Sequence, residues 1–298
     1  MRALIAVGAV ALWLCAVGAS AAPNADKVRL ALRSHSALVL DQQSGSILFG
    51  KNTQAILPIA SITKLMTAIV TLDANLDPEE PIAITEDDVD WLRSSPSRLH
   101  VGTVLSRDDL LHLALMASEN RAASALAAAY PGGRESFVRA MNEKARALAM
   151  TGTRFSDPTG LSTTNVSTAE DLAALVRAAH RYIKIREYTT ATRYEVSVGG
   201  RSLAYRNTNR LVSHPGWNIG LSKTGFINEA GRCLVMQARL AGRTVIIVLL
   251  DSWGKYSRIG DANRIRKWLE LASGTAPGKS ASNRGSLSPA KTMHEGPA

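Results

Sequence analysis

Three short motifs hold the residues of this chain whose types and spacing could do chemistry. They are Ser61-Ile62-Thr63-Lys64, Ser118-Glu119-Asn120 and Lys223-Thr224-Gly225. Ser-x-x-Lys alone has little specificity, since it recurs at Ser252–Lys255 and Ser288–Lys291. Only the copy at Ser61 stands where a strand region passes into an amphipathic helical pattern, and the other two motifs each occur once. Together, in this order, they indicate a serine nucleophile with lysine partners.

The first motif pairs a candidate nucleophile with a candidate base. On a helix, Ser61 and Lys64 lie one turn apart, so the amine can reach the hydroxyl. A serine hydroxyl is a poor nucleophile until a base takes its proton. Lys64 must then be neutral, yet an unperturbed lysine with a pKa of ~10.4 is less than ~0.1% neutral at pH 7. A pKa of ~7–8 needs ~3–5 kcal/mol of bias, from burial and from a second cation, for which Lys223 is the candidate.

The second motif offers a proton relay and a substrate contact. Ser118 can pass a proton between Lys64 and the leaving amine, while Asn120 can hold a substrate amide. Taken singly, the serines could be helix caps and the lysines solvated surface charges. The three motifs together make that structural explanation the weaker one.

The third motif predicts a strand that binds substrate through Lys223, Thr224, Gly225 and Phe226. Gly225 lets the substrate approach the strand closely. The backbone N–H groups of Ser61 and Phe226 would then form an oxyanion hole.

Other chemistries find less support. The chain has no Gly-x-Ser-x-Gly sequence, and its six histidines lack metal-ligand spacing, so we expect neither a metal ion nor a cofactor. His112, in a predicted helix, and Cys233, in a predicted strand, are interpreted as structural. The turn Asp157–Leu161 could line the site from below, but a structural role is favoured.

The first residues predict export. Met1-Arg2 precedes an apolar run over residues 3–16, and Ala19-Ser20-Ala21 follows just before Ala22-Pro23. This pattern is typical of a secretory signal peptide, here residues 1–21, and an N-terminal anchor helix is the alternative. We therefore expect a periplasmic protein with no nucleic-acid partner. Removal of the signal peptide, which contains Cys15, leaves Cys233 as the only cysteine, so no intrachain disulfide is expected.

The composition is that of a globular protein with a basic surface. The 298 residues are 46% hydrophobic with a net charge of +10, which suits one large domain or two intimate ones. Beyond Ser273 the chain is rich in Gly, Ser, Pro, Ala and Lys, which predicts a disordered tail over residues 274–298. One domain is expected over residues 22–273.

The hydrophobic pattern predicts an α+β fold. A hairpin at Ala37–Asp41 and Ser46–Phe49 precedes a long block of helical patterns, and strands return from Arg193 before a closing helix at Ile265–Leu269. We expect the first and last segments to share one antiparallel sheet. The sheet part is placed at about residues 36–60 and 190–273, and the helical part at about 61–189.

At the three motifs the chain resembles the low-molecular-mass penicillin-binding proteins of the D-alanyl-D-alanine peptidase group. The resemblance covers about residues 37–269. Within that group, the chain resembles the endopeptidases most. The stretches that carry it are Pro58–Ser61, Met116–Ala123, Arg206–Asn209 and Lys223–Met236.

This resemblance implies a β-lactamase/transpeptidase-like fold, in which helices flank an antiparallel sheet and an all-helical subdomain is inserted. It implies that Ser61 is acylated, that Lys64 accepts its proton, that Ser118 is the third catalytic group and that Lys223 binds substrate. The reaction would be cleavage of D-alanyl-meso-diaminopimelate cross-links in peptidoglycan and muropeptides. β-Lactams would be covalent inhibitors.

Departures from the group's carboxypeptidases guide the finer prediction. Those enzymes usually read Ser-Gly-Asn and Lys-Thr-Gly-His, where this chain has Glu119 and Phe226, and they carry a C-terminal membrane anchor. We expect no stable anchor here and favour cross-link cleavage over terminal trimming. Arg258 could bind the substrate carboxylate or be an ordinary surface arginine.

Three alternatives remain open from the sequence. A D-alanyl-D-alanine carboxypeptidase shares all three motifs. A class A-like β-lactamase would need a glutamate in Glu-x-x-Leu-Asn to activate the deacylating water, and this is missing after the helical block. A non-catalytic cell-wall-binding protein would not need the intact Lys64 and Ser118.

Overall fold

A computed structural model describes residues 30–274 of the chain. The predicted signal peptide and almost all of the predicted tail lie outside these residues. Eleven strands occur within the described range: β1 (Ser34–Asp41), β2 (Ile47–Lys51), β3 (Leu57–Pro58), β4 (Pro81–Ala83), β5 (Val104–Ser106), β6 (Val166–Ser167), β7 (Arg193–Val198), β8 (Arg201–Arg206), β9 (Asn218–Ile227), β10 (Gly231–Leu240) and β11 (Arg243–Ser252).

Seven α-helices occur in the same range, most of them between β3 and β7. They are α1 (Lys64–Asp73), α2 (Arg107–Met116), α3 (Asn120–Ala128), α4 (Gly133–Ala147), α5 (Ala169–Ala179), α6 (Ile183–Thr190) and α7 (Ser257–Ala272). None of these helices is long and apolar enough to cross a membrane. The predicted closing helix begins earlier than expected, and α6 was not predicted.

The main sheet has the order β2-β1-β11-β10-β9, and all neighbours are antiparallel. The first strand therefore pairs directly with the last, with Val39 opposite Ile247. This arrangement confirms the predicted α+β class, in which an antiparallel sheet built from both ends of the chain is flanked by helices. It also makes β9, which carries the Lys-Thr-Gly motif, an edge strand.

Strand β11 shows why the sheet is buried on both faces. Its residues from Val245 to Leu250 are all fully buried. Ile246, Val248 and Leu250 belong to the core shared with the helical block, whereas the residues that alternate with them pack in a second core with Ile265 and Leu269 of α7. Side chains alternate along a strand, so a continuous apolar run of this kind supplies both layers.

Helix α1 runs through the middle of the helical block. Every residue from Lys64 to Thr71 is buried, with α2, α3, α4 and α5 packed around it. A helix that is apolar all round belongs inside a core. Lys64, at the N-terminus of α1, is the one charged residue in this buried stretch, and it is fully buried. A charged side chain in that position is expensive unless it is neutralised or paired, which points to a functional role.

Candidate active site

A pocket of about 450 Å³ lies where the helical block meets the edge strand β9. All three motifs contribute to its wall, although they are far apart along the chain. The lining residues are Ser61, Arg93, Ser95, Ser118, Asn120, Leu161, Thr208, Thr224, Gly225, Phe226, Ile227, Asn228 and Arg258. None of these residues is acidic and two are arginines, so the charged groups of the lining are positive.

Ser61 is held at the entrance to α1 by a 3-10 turn over Ala60–Thr63. Ala60 adopts a left-handed backbone with φ of +47°, a conformation that is costly for a residue with a Cβ atom. The Nζ atom of Lys64, one turn later, lies 3.0 Å from Ser61 Oγ. The spacing expected from the motif is thus present, with the amine in contact with the hydroxyl.

Two further acceptors surround the amine of Lys64. Its Nζ donates to Asn120 Oδ1 at 2.7 Å and to the backbone carbonyl of Thr159 at 2.6 Å. Burial lowers the pKa of Lys64 to about 8, although the negative charges of Asp157, Glu119 and Asp90 act in the opposite direction. The sequence argument required ~7–8, so this amine is close to the state that a base needs.

The second lysine contacts the second serine. Lys223 Nζ donates to Ser118 Oγ at 2.8 Å and to the carbonyl of Thr224 at 3.0 Å. Burial lowers the pKa of Lys223 well below its ordinary value, and the charges of Lys64 and Arg258 lower it further. The sequence analysis expects the charge of Lys223 to lower the pKa of Lys64. In the structure burial lowers the pKa of Lys64, and the repulsion between the two amines lowers the pKa of Lys223 instead.

Ser118 stands in a left-handed backbone conformation with φ of +61°, between α2 and α3. Strained residues of this kind persist only where the surrounding structure holds them, and they concentrate at functional sites. Among the described hydrogen bonds, Ser118 Oγ is bonded to Lys223 and not to Lys64. A proton relay from Lys64 to Ser118 would therefore need a bound substrate that bridges the two groups, or a small shift of the Ser118 side chain.

Gly225 brings β9 against the backbone of Ser61. A Cβ atom at this position would lie 2.8 Å from the carbonyl oxygen of Ile59 and 3.2 Å from the backbone nitrogen of Ser61. Only glycine permits this approach, which sets the backbone after Gly225 beside that of Ser61. The following side chain, Phe226, is 50% exposed at the mouth of the pocket, with the Arg232 guanidinium 4.6 Å from its ring centre.

The turn at Asp157–Leu161 supports Lys64 from below, which combines the two interpretations offered for it. The Asp157 carboxylate accepts from the backbone N–H groups of Thr159, Gly160 and Ser162 at 2.6–3.0 Å. This fixes the carbonyl of Thr159 against the lysine. Gly160 has φ of +82°, and a Cβ atom there would lie 2.0 Å from the carbonyl oxygen of Ala60. The aspartate is fully engaged as an acceptor, which makes its role structural.

Several site residues escaped the sequence analysis. Ser95 Oγ accepts from Asn120 Nδ2 at 2.9 Å, and Thr208 Oγ1 is 2.7 Å from Thr224 Oγ1. Arg93 donates to the carbonyl of Leu161 at 2.7 Å and pairs with Glu229 at 3.0 Å, which ties a loop of the helical block to the turn after β9. The serine cluster before Pro96 and the stretch around Asn207 were the only sequence signals for these contacts.

Arg258 lies at the base of the Lys-Thr-Gly strand. Its Nη1 donates to the carbonyls of Gly225 at 2.9 Å and Cys233 at 3.2 Å, and no carboxylate among residues 30–274 pairs with it. Burial and the charge of Arg232 lower its pKa to about 10, so the guanidinium keeps its positive charge at neutral pH. It is the cation in the pocket wall that is free to meet an anionic substrate group.

His112 and Cys233 take no part in the pocket wall. The His112 ring is stacked between Tyr188 and Tyr194, with centroid distances of 4.1 and 3.7 Å. Burial lowers the pKa of His112 to about 4 and raises that of the Cys233 thiol to about 11. A neutral stacked imidazole and a protonated thiol agree with the structural interpretation of both residues.

Comparison with known proteins places this geometry in a family. The model of a family described as D-alanyl-D-alanine carboxypeptidase (peptidase S11) matches residues 20–254. The D-alanyl-D-alanine endopeptidase of Pseudomonas aeruginosa is 48% identical over 264 residues, which are 88% of this chain and 85% of that protein. The corresponding endopeptidase of Escherichia coli is 43% identical over 254 residues, 84% of this chain and 81% of that protein.

The fold has a similar counterpart among solved structures. The crystal structure of the Streptomyces K15 DD-transpeptidase superposes with a TM-score of 0.74 at 28% identity, covering 81% of this chain and 98% of that one. This likeness confirms the expected transpeptidase-like fold. The chain belongs to the D-alanyl-D-alanine carboxypeptidase family, peptidase S11.

Proposed function

We propose that this protein is a serine DD-endopeptidase that cleaves the D-alanyl-meso-diaminopimelate cross-links of peptidoglycan through an acyl-enzyme on Ser61. The similar proteins of Pseudomonas aeruginosa and Escherichia coli are named D-alanyl-D-alanine endopeptidases. The observation that carries the proposal is the environment of Lys64. Its buried amine has two carbonyl-type acceptors and one hydroxyl within hydrogen-bond distance.

Those three contacts suit both states of the amine, since the ammonium can donate to all three acceptors and the neutral form can instead accept the proton of Ser61. A neutral lysine has two N–H donors and one lone pair, whereas the ammonium has three donors and no acceptor. With Asn120 Oδ1 and the Thr159 carbonyl taking the two N–H groups, the lone pair is left for the proton of Ser61. A pKa of about 8 supplies roughly a tenth of the molecules in this form at pH 7.

Acylation would follow from this arrangement. Ser61 Oγ attacks the carbonyl carbon of the D-alanine as its proton passes to Lys64 Nζ, and the carbonyl oxygen becomes an oxyanion facing the N–H groups of Ser61 and Phe226. The tetrahedral adduct collapses when the C–N bond breaks and a proton reaches the leaving amine. Ser118, which accepts a hydrogen bond from Lys223 Nζ, is placed to deliver that proton.

Deacylation is the reverse chemistry with water in place of the amine. Water loses a proton to the site base and attacks the acyl carbon, and the ester bond to Ser61 Oγ breaks as that oxygen regains a proton. The donor stem peptide is released, and D-alanine is now its C-terminal residue with a free carboxylate. Asn120 and the strand from Lys223 to Phe226 would hold the peptide during both steps.

The same site would be acylated by penicillin and would keep the adduct. None of the residues that line the pocket is a glutamate or aspartate, and the Asp157 carboxylate is occupied by backbone N–H groups. A class A-like β-lactamase needs a carboxylate that activates the deacylating water. This lining supports a long-lived penicilloyl adduct over rapid hydrolysis.

A D-alanyl-D-alanine carboxypeptidase is the second candidate, and Arg258 favours it as much as the first. In both substrates the leaving amine belongs to a D-amino acid centre that bears a free carboxylate. Arg258, with no carboxylate partner of its own among the described residues, suits that group in either case. The distinction lies in the rest of the leaving group, a methyl in D-alanine and a long side chain in diaminopimelate.

Digestion of defined muropeptides tests the assignment. Purified protein is incubated with cross-linked dimers and with uncross-linked pentapeptide monomers, and products are identified by mass spectrometry. We expect the dimers to be converted to monomers, with no reaction in Ser61→Ala. Loss of terminal D-alanine from the monomers with dimers left intact would assign the carboxypeptidase activity instead, and rapid turnover of benzylpenicillin would assign a β-lactamase.

We also propose that the protein is exported and works in the periplasm. The support is the leader at residues 1–21, outside the described structure, and the location that a peptidoglycan substrate requires. N-terminal sequencing of the protein from a periplasmic extract should begin at about Ala22.

A further inference from the structure

An exposed aromatic surface lies at the end of the main sheet beside the pocket. Trp253, Tyr256 and Phe226 are 77%, 64% and 50% exposed. Register brings two of them to the same end of the sheet, since Phe226 is opposite Arg232 on β10 and Arg232 is opposite Ser252, the residue before Trp253. Tyr256 follows Trp253 by three residues. We call Phe226, Trp253 and Tyr256 the aromatic rim. Exposed apolar groups gathered in this way mark a binding surface more often than chance.

The backbone that presents Trp253 is held in place. Asp251 has φ of +48°, a left-handed conformation that costs a residue other than glycine, and Gly254 on the other side has φ of +91°. The Trp253 carbonyl accepts a hydrogen bond from the Ser257 hydroxyl at the start of α7. A strained and anchored turn that leaves its indole in solvent is a costly arrangement without a ligand.

Cations accompany the aromatic rings. The Arg232 guanidinium lies 4.6 Å from the centre of the Phe226 ring, and Lys255 Nζ lies 5.6 Å from that of Tyr256. Neither cation pairs with a carboxylate among residues 30–274, in contrast to Arg93, which pairs with Glu229. The rim therefore offers flat apolar faces together with positive charges that can meet an anionic group.

The rim is continuous with the pocket and lies within the reach of its substrate. Phe226 belongs to both, and Arg258, in the pocket wall, is the second residue of α7, two positions after Tyr256. A peptide stem of about four residues spans at most ~14 Å when extended. With a D-alanine carbonyl at Ser61, the sugar that carries the stem therefore lies within ~14 Å of that residue, on the side of the pocket that opens to solvent.

We propose that the aromatic rim binds the glycan strand of peptidoglycan next to the stem peptide that is being cleaved. This inference rests on the proposed function. Pyranose rings have apolar C–H faces that stack on Trp253 and Tyr256, while their hydroxyl groups stay in water. Arg232 and Lys255 meet the carboxylates of the stem residues close to the sugar. The protein thereby recognises the polymer in addition to its peptide.

Binding to peptide-free glycan strands tests this proposal without requiring catalysis. The probe is the polysaccharide left after an amidase has removed all stem peptides from sacculi, and dissociation constants are measured by sedimentation. We expect Trp253→Ala to weaken binding about tenfold, since one lost stacking contact is worth roughly 1.4 kcal/mol. Tyr256→Ala should act in the same direction, and Trp253→Phe should keep most of the affinity.

Controls separate this proposal from the proposed function and from misfolding. Acylation by a fluorescent penicillin, which has no glycan, should be unchanged in the Trp253 variants. Ile183→Ala, which removes a 62% exposed side chain from α6, should bind glycan as the wild type does. Equal glycan binding by Trp253→Ala and wild type would overturn the proposal, as would equal losses in Trp253→Ala and Ile183→Ala. Failure of the wild type to cleave muropeptide dimers would contradict the proposed function alone.

Discussion

The rate of acylation should follow the deprotonation of Lys64. With a pKa of about 8, the neutral fraction of this amine is roughly 1% at pH 6, 9% at pH 7, 50% at pH 8 and 90% at pH 9. The second-order rate constant for acylation of Ser61 by penicillin should therefore rise about 50-fold from pH 6 to pH 8 and less than about twofold above pH 8. A lysine with its ordinary pKa of ~10.4 would instead give a tenfold rise per pH unit up to about pH 10.

The measurement is stopped-flow acylation by a fluorescent penicillin at constant ionic strength. Mass spectrometry of the product should show one adduct on the wild type and none on Ser61→Ala. Lys64→Arg keeps the charge but cannot be deprotonated in this range, so its acylation should be slow at every pH. A rate that is flat between pH 6 and pH 9, or one that continues to rise to pH 10, would refute Lys64 as the base with this pKa.

A substitution in the supporting turn should move the profile in a known direction. The charge of Asp157 raises the pKa of Lys64, against the larger effect of burial. Asp157→Asn keeps an oxygen acceptor for the turn and removes the negative charge, so the pKa of Lys64 should fall further. The midpoint of the acylation profile should then lie below that of the wild type. A midpoint shifted to higher pH would contradict the electrostatic argument.

Two other changes have outcomes set by geometry. Gly160→Ala would place a Cβ atom 2.0 Å from a backbone carbonyl, so we expect a loss of more than ~3 kcal/mol in the free energy of unfolding, measured by urea titration. Gly102→Ala is the matched control, with φ of +84° and no atom within 4 Å, and should cost only ~1–2 kcal/mol; equal losses would show that the clash is relieved. Asn120→Ala removes an acceptor of Lys64 Nζ and should slow acylation at least tenfold, whereas Ser95→Ala removes only a bond that orients Asn120 and should slow it less. The reverse order of these two rates would argue against Asn120 as the group that sets the amine.

The local contact at the start of α1 was predictable because it depends on residue types at a fixed spacing. Ser61 and Lys64 are three residues apart on one helix entrance, and their contact follows from helical geometry. The contact between Lys223 and Ser118 joins residues 105 positions apart, and no local pattern encodes it. The order of the three motifs, typical of the resembled family, predicted that they share one site, but it did not predict that Lys223 contacts Ser118.

Contacts made by backbone atoms could not be predicted in the same way. The backbone carbonyl of Thr159 accepts the shortest hydrogen bond of Lys64 Nζ, at 2.6 Å. Every residue has a backbone carbonyl, so the residue type at this position does not predict the contact. The turn that positions it was recognised, and its role beneath the lysine was left open. The Arg93–Glu229 pair was missed because surface charges of both signs are common and their partners depend on tertiary structure.

The sequence analysis did not predict α6 and placed the start of α7 too late, and both errors can be traced to the residues of these helices. Helix α6 reads Ile-Lys-Ile-Arg-Glu-Tyr-Thr-Thr, where β-branched and aromatic residues weaken the helical preference and only Ile185 and Thr189 are buried. Helix α7 begins at Ser257, eight residues before the predicted start. The sequence does not mark this start, because Tyr256 gives no side-chain cap and Gly260 interrupts the helical pattern. Tertiary packing decides both cases.

The pairing of β1 with β11 has a consequence for how this protein becomes active. The central strand of the sheet, β11, pairs with β1 from the opposite end of the described chain, so the sheet cannot form before β11 is present. β9 reaches the nucleophile only when β10 and β11 anchor it to β1. Pairing between such distant segments is slow and comes late in folding. A growing chain therefore carries Ser61 without an assembled site until β9, β10 and β11 have been made.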